Sequence, residues 1–357
     1  MKRRIGILTS GGDCPGLNAA IRGVVRSAYS LFDAEIIGIR DGFRGLIYGD
    51  YQIMEQSQFS NILTRGGTIL GTSRQSFRDM RVVGDDNVDK VSEMKRNYRA
   101  MGLDCIVTLG GNGTHKTANL LHEEGMNVIG LPKTIDNDIY GTDFTFGFHT
   151  AVEIATDVVD RIHTTAASHG RCMVIELMGN KAGWLTLYAG MAGGADVILL
   201  PEIPYDIEKV AQVVETRARL RKSFSIIAVA EGALDKGESE MKRKDREAAR
   251  TSSEYNSISQ RIAAQIEELC GVETRTVVPG HIQRGGSPCA YDRVLSTRFG
   301  ARAAELIRDE VYGVSVALKG NKITHNPLEE VAGITRGVEP DDEVVTAARE
   351  IGIVFGD

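Results

Sequence analysis

Short apolar runs recur along the chain, each closed by glycine and polar residues and followed by a stretch with helical spacing. Residues 4–9 read as a buried strand ending at Ser10-Gly11-Gly12-Asp13-Cys14-Pro15-Gly16, after which Ile21, Val24, Val25, Ala28 and Phe32 mark one face of a helix. The same reading predicts strands at 36–39, 104–109, 127–131, 172–177, 197–200, 225–230 and 275–278. Helices are predicted at 85–101, 115–124, 150–163, 184–190, 206–221, 254–270, 291–310 and near 340–351. Strand and helix alternating throughout implies an α/β protein with doubly wound, mainly parallel sheets. With 357 residues there is chain enough for two domains, and the main boundary is placed near 147.

Polar residues gather where strands are predicted to end, which is where open α/β sheets bind ligands. The stretch 130–139 follows one such strand and carries Asp136 and Asp138 with Lys133 and Thr134. In an extended or turning backbone, residues two apart can share a side, so both carboxylates can bracket one reaction centre. A lone D-x-D is more often a capped turn, and its neighbours shift that balance. The loop at 10–16 is either a phosphate cradle or a tight turn, and residues 110–114 (Gly-Gly-Asn-Gly-Thr) repeat the pattern before a second helix. Residues 64–74 add hydroxyls and Arg74, a residue type that clamps phosphate oxygens bidentately.

Composition adds bounds. A formal net charge of −6 argues against nucleic acid or an anionic membrane as main partner. No apolar run is long enough for a membrane span, and residues 1–4 lead into a strand rather than a signal sequence. The five cysteines have no metal-ligand or C-x-x-C spacing, so reduced thiols and a cytoplasmic location are expected. The charged run 235–250 reads as a solvated helix or excursion.

In the second half, Arg171, Glu231, Arg275, His281 and Arg284 suit an anionic, hydroxyl-bearing substrate such as a sugar phosphate. A nucleophile elbow is missing, and so are zinc ligands. Phosphoryl transfer fits best, since it needs positioning, a base and charge neutralisation.

At this point the chain resembles the 6-phosphofructokinases. The resemblance rests on S-G-G-D-C-P-G-L-N-A-A-I-R-G (10–23), G-G-N-G-T (110–114), P-K-T-I-D-N-D-I (132–139), E-L-M-G (176–179), A-E-G (230–232) and G-H-I-Q-R-G-G-S-P (280–288). It implies two Rossmann-like domains with the active site in the cleft between them: 1–147 plus about 283–333 for the phosphoryl donor, 148–282 plus about 334–357 for fructose 6-phosphate. It implies Asp136 as the base on the sugar 1-hydroxyl, with Thr134 and Lys133 beside it. Gly12, Arg74, Gly111, Asn112, Gly113 and Thr114 would hold the donor. Asp138 and Asn112 would stand on the side of Mg²⁺, where the family usually has an acid in place of Asn112. Met178, Gly179, Glu231, Arg275, His281 and Arg284 would hold fructose 6-phosphate, with Asn180 where an arginine is frequent. Arg171 would reach that phosphate from a neighbouring subunit of a homotetramer.

Donor choice is implied by two positions. Glycine at 113 leaves room for ATP where the pyrophosphate enzymes have aspartate, whereas Lys133 is shared with pyrophosphate enzymes and with a mixed subgroup; ATP is favoured, pyrophosphate is the alternative. Of an effector site, Arg22, Arg26 and Lys222 match, while Gln56 and His163 stand where arginines are usual. A different kinase with a similar glycine turn, or a non-catalytic nucleotide-binding regulator, are the remaining readings.

Overall fold

Among the described residues, eleven strands form two sheets. They are β1 (Arg3–Thr9), β2 (Ala34–Ile39), β3 (Tyr51–Met54), β4 (Cys105–Gly110), β5 (Val128–Pro132) and β6 (Cys172–Leu177), followed by β7 (Val197–Leu199), β8 (Ser225–Ala230), β9 (Thr274–Val277), β10 (Val314–Lys319) and β11 (Lys322–Pro327). The computed structural model describes residues 2–83, 88–220 and 224–357. The chain divides into two compact units, Met1–Thr150 with Arg284–Arg336 and Ala151–Gln283 with Gly337–Asp357.

The first unit holds a seven-stranded sheet in the order β11-β10-β5-β4-β1-β2-β3. Its centre is parallel: Ile5 of β1 pairs with both Ile36 and Cys105. Every residue of β4 is buried, as expected for a strand covered by helices on both faces. Both edges are antiparallel, β3 on β2 and β11 on β10. Neither edge stands out as a strand in the sequence. Tyr51 and Ile53 are exposed, and Lys322-Ile-Thr-His-Asn-Pro327 is mostly polar, so neither gives the apolar run that marked the centre. Leu8, Ile39, Ile106, Leu121 and Val128 belong to one core cluster of this unit. Each such side chain fully removed from water contributes roughly 1.5–3 kcal/mol.

In the second unit all four strands are parallel, in the order β7-β8-β6-β9. Val174, Leu199, Ile227, Val229, Ile262 and Ile266 fill one face. The architecture is the α/β, mainly parallel arrangement the sequence implied, and no helix among the described residues is long and apolar enough to cross a membrane.

One element departs from its sequence reading in a way that matters. The helix expected at 115 begins at Asn112 and runs to Glu123. Glycine and asparagine are weak helix formers, which hid the first turn. The charged run 235–250 also differs: it forms two short helices, Lys236–Glu240 and Arg243–Thr251, and buries Glu238 instead of leaving every charge in water.

Candidate active site

In the first unit the carboxyl ends of β5, β4 and β1 lie side by side, and each continues into one of the polar stretches. The loops are tied together by backbone. Ser10 N–H donates to the Leu109 carbonyl at 2.9 Å and Gly11 N–H to the Ser73 carbonyl at 3.0 Å. Thr72 Oγ1 donates to the Gly11 carbonyl at 2.6 Å. The 64–74 segment is thereby fixed against the first glycine turn. At Gly12 a Cβ atom would lie 2.9 Å from Arg284 Nη1 and 3.6 Å from Arg74 Nη2, so both guanidinium groups come up against the bare backbone at that face. Arg284 Nη1 also reaches the Asp13 carbonyl at 3.4 Å. Arg284 was grouped in the sequence reading with the sugar-phosphate set; the structure sets it beside Arg74 in the first unit, against the glycine turn.

The helix Asn112–Glu123 starts on Gly111 with no side-chain cap. The N–H groups of its first turn therefore point out of the helix, at its positive end. A Cβ at Gly113 would meet no atom within 4 Å. This is an amide-lined, open position suited to an anion. His115, fully buried, anchors the helix: one ring nitrogen lies 2.8 Å from Ser315 Oγ on β10, the other 3.1 Å from the Gly111 carbonyl.

Burial pushes the His115 pKa down to about 4, and that of His149 likewise. Below pH 6.5 the unfolded chain takes up protons that the native fold refuses. The stability present above pH 6.5 is therefore lost as pH falls towards 4, by about 3 kcal/mol for one such histidine acting alone. Urea unfolding at pH 7 and pH 4.5 is expected to show this loss, and His115→Gln to shrink it. An equally steep loss in the variant would assign the acid lability elsewhere.

After β5, burial alternates residue by residue: Ile135, Asn137 and Ile139 are buried, while Thr134, Asp136 and Asp138 are only partly covered. The period of two sets the two carboxylates on one side, as the i, i+2 argument expected. The turn is fixed from beneath. Asn137 adopts a positive φ of 50° and accepts from Thr145 N–H at 3.0 Å while donating to the Asp143 carbonyl at 3.2 Å. Asp136 N–H donates to Thr134 Oγ1 at 3.0 Å. Lys133 is almost wholly buried, and its ammonium donates to the Gly12 carbonyl. Burial lowers its pKa, opposed in part by neighbouring acids that include Asp136.

Asn112 Nδ2 donates to the backbone carbonyl of Asp138 at 3.0 Å and to its carboxylate at 3.3 Å. Asn112 Oδ1 is buried without a hydrogen-bond partner among the described residues. The Asp138 carboxylate fits Mg²⁺, which is held by one or two protein oxygens together with phosphates and waters; Asn112 turns its nitrogen to that carboxylate and leaves its oxygen orphaned. No group of three or more His, Cys, Asp or Glu able to hold a metal occurs among the described residues.

In the second unit the carboxyl ends of β6 and β8 present Met178, Gly179, Asn180 and Glu231. Gly179 has φ of 138°, a conformation that side chains rarely adopt, and its carbonyl accepts from Gly232 N–H at 3.1 Å. The sequence reading passed over Gln283, which is fully buried and accepts from Met178 N–H at 3.1 Å while donating to the Gly280 carbonyl at 3.0 Å. Its signal was its place inside the G-H-I-Q-R run, beside exposed His281.

Arg171 and Arg275 stand elsewhere. Arg171 precedes β6, and Arg275 pairs with Met173 near the start of β9. Both guanidinium groups bind Glu273, at 3.0 and 2.5 Å, and its carboxyl is held below the usual range by Arg171 first and by Arg275 less, against a small opposing effect of burial. This is the amino edge of the sheet, about 17 Å of strand from the Met178 end at 3.3 Å per residue. Arg275 was grouped with Glu231 and His281; the structure groups it with Arg171.

Of the remaining positions, Arg26 and Gln56 line a cavity of 290 Å³ with Tyr29 and Phe59. Arg22 lies on the same helix as Arg26, Leu17–Leu31. His163 is bound to the Gly193 carbonyl at 2.6 Å, and Lys222 lies outside the described residues.

Amide-lined glycine turns at adjacent strand ends, a paired carboxylate and arginines converging on Gly12 define a phosphoryl-transfer class of α/β protein. The family model described as phosphofructokinase matches residues 4–307, and the chain belongs to that family. It is 54% identical, over 99% of its length and 98% of the relative's, to the ATP-dependent 6-phosphofructokinase of Spirochaeta thermophila. The phosphofructokinase structure from Saccharomyces cerevisiae is 32% identical with a TM-score of 0.79, covering 92% of this chain and 45% of the yeast chain. The pyrophosphate-dependent phosphofructokinase of Nitrosospira multiformis is 19% identical with a TM-score of 0.82, covering 99% of this chain and 93% of that one. The last likeness concerns the fold alone.

Proposed function

We propose that the protein is a glycolytic ATP-dependent 6-phosphofructokinase, moving the γ-phosphoryl group of ATP to the 1-hydroxyl of fructose 6-phosphate. The observation that carries this reading is the shared face of Asp136 and Asp138 beside an amide-lined turn with open space at Gly113. Asp136 accepts the hydroxyl proton, for which its carboxylate must come within about 3 Å of the oxygen. Thr134, bonded to Asp136 N–H, sets the turn that aims it. The first-turn amides of Asn112, Gly113 and Thr114 with Gly111 and Gly12 take the donor phosphates. Arg74 offsets the charge on the transferred group, and Arg284 at the same glycine adds to that positive field. Asp138 would hold Mg²⁺, which supplies charge neutralisation on the donor phosphates.

Fructose 6-phosphate is assigned to Met178, Gly179, Asn180, Glu231 and His281. Arg171 and Arg275, at the far edge of their own sheet, are assigned together to the phosphate bound by another copy of the chain. That pairing supports a homo-oligomer, read as a tetramer. A cytoplasmic setting is supported by five cysteines, all free and none fully exposed.

One observation favours pyrophosphate as donor: the Lys133 ammonium lies at the Gly12 turn, where it can also meet phosphate oxygens. The test is turnover of fructose 6-phosphate with ATP and with pyrophosphate in parallel. Turnover with ATP and little with pyrophosphate is expected; the reverse would overturn the donor assignment.

A further inference from the structure

The stretch between β8 and the helix Ile258–Cys270 folds back on the strand end it leaves. Arg250, on the short helix Arg243–Thr251, points inward. Its Nε and Nη2 donate to the two oxygens of Glu238 at 2.7 and 2.9 Å, a bidentate pair. The same Nη2 donates to the Ala233 carbonyl at 2.6 Å, and Nη1 lies 3.4 Å from the Glu231 carbonyl. Arg261 closes the far side with donations to Glu238 at 2.9 and 2.8 Å. Burial alone would raise the Glu238 pKa, but hydrogen bonds from Arg250 and Arg261 hold it down at about 2. The network is therefore charged at neutral pH.

What Arg250 grips is the turn that carries Glu231. The Glu231 N–H is held by the Leu177 carbonyl at 2.9 Å and the Gly232 N–H by Gly179. Both supports come from the β6 side, and Arg250 supplies one from the other side. The grip is needed because a cavity of 460 Å³ adjoins the turn, lined in part by Glu176, Asn180, Glu231, Glu238, Arg250 and Arg261. An unheld turn has room to relax into it. The planar guanidinium pairs both carboxylate oxygens and reaches the two carbonyls through separate nitrogens; a lysine ammonium has three donors on one atom and lacks that fork.

We propose that Arg250 is a positioning residue for the sugar substrate: by holding the carbonyls of Glu231 and Ala233 it fixes where the Glu231 carboxylate meets fructose 6-phosphate. This rests on the reading of Glu231 as a sugar ligand. The stretch 235–250 is then a brace for the sugar pocket, reaching back from nineteen residues downstream of Glu231.

The test compares Arg250→Met, Arg250→Lys, Glu231→Gln and the double variant Glu231→Gln/Arg250→Met in the full-length enzyme, reading kcat, both KM values and Tm. Arg250→Met is expected to raise KM for fructose 6-phosphate about tenfold while leaving KM for ATP and kcat within about twofold. Arg250→Lys should recover part of the loss. In the Glu231→Gln background the Arg250 change should add nothing, because its effect runs through that carboxylate. Effects that multiply, or a rise in both KM values alike, would show a general structural role and overturn the proposal. Should Arg250→Met fail to fold, Arg250→Lys decides: a rise of about threefold in the sugar KM alone supports the brace, and an unchanged KM overturns it. If Glu231→Gln leaves the sugar KM unchanged, the assignment of Glu231 fails and takes the proposal with it. If Glu231→Gln raises it and neither Arg250 variant does, the proposal alone fails.

Discussion

Asp136→Ser is expected to cut kcat with ATP and fructose 6-phosphate about a thousandfold, the scale of a lost general base. KM for the sugar phosphate should move only a few-fold. The fold explains the split. Asp136 sits on the partly covered side of a turn whose opposite side is pinned by Ile135, Asn137 and Thr145. Removing its carboxylate leaves those anchors in place, so binding groups elsewhere keep their positions. A serine can still accept a hydrogen bond but takes up no proton near neutral pH. Rapid-quench measurement of the first turnover separates this from slow product release: the burst should vanish with the steady-state rate. Near-normal kcat in Asp136→Ser would remove the carboxylate from the chemistry.

The second large effect is expected at Gly113. Gly113→Asp should raise KM for ATP at least about a hundredfold while leaving the folded protein intact, as judged by Tm and circular dichroism. A Cβ there meets no protein atom within 4 Å, so the fold has no steric objection. The new carboxylate instead occupies volume at the amide end of the helix Asn112–Glu123. There it satisfies the same N–H donors and repels phosphate by about 4 kcal/mol at 4 Å in a surface-like dielectric. Unchanged ATP kinetics would mean that the nucleotide approaches from another side.

Much of this site was legible because its chemistry follows strand ends. The central strands announced themselves as apolar runs closed by glycine, and the turn after β5 kept a period of two that sequence spacing alone could anticipate. What escaped notice has physical reasons. The first turn of the Asn112 helix is built from residues chosen for exposed amides rather than helical preference. The edge strands β3 and β11 are half in water and lack an apolar signature. The position of Arg284 beside Arg74 depends on where the chain returns to the first unit. The separation of Arg275 from Glu231 depends on which end of a strand a residue occupies, and a linear list hides both. Buried Glu238 escaped because a run of charges was read by its average, while its environment is set by two arginines that come later in the chain.

The amide-lined helix start has a further consequence. Main-chain donors belong to the backbone, so a substitution at 112 or 113 leaves the amides where they are and changes only what can approach them. Drift in cosubstrate preference can thus proceed through single codon changes on an unchanged scaffold, and divergence between lineages at this corner carries little penalty in foldability.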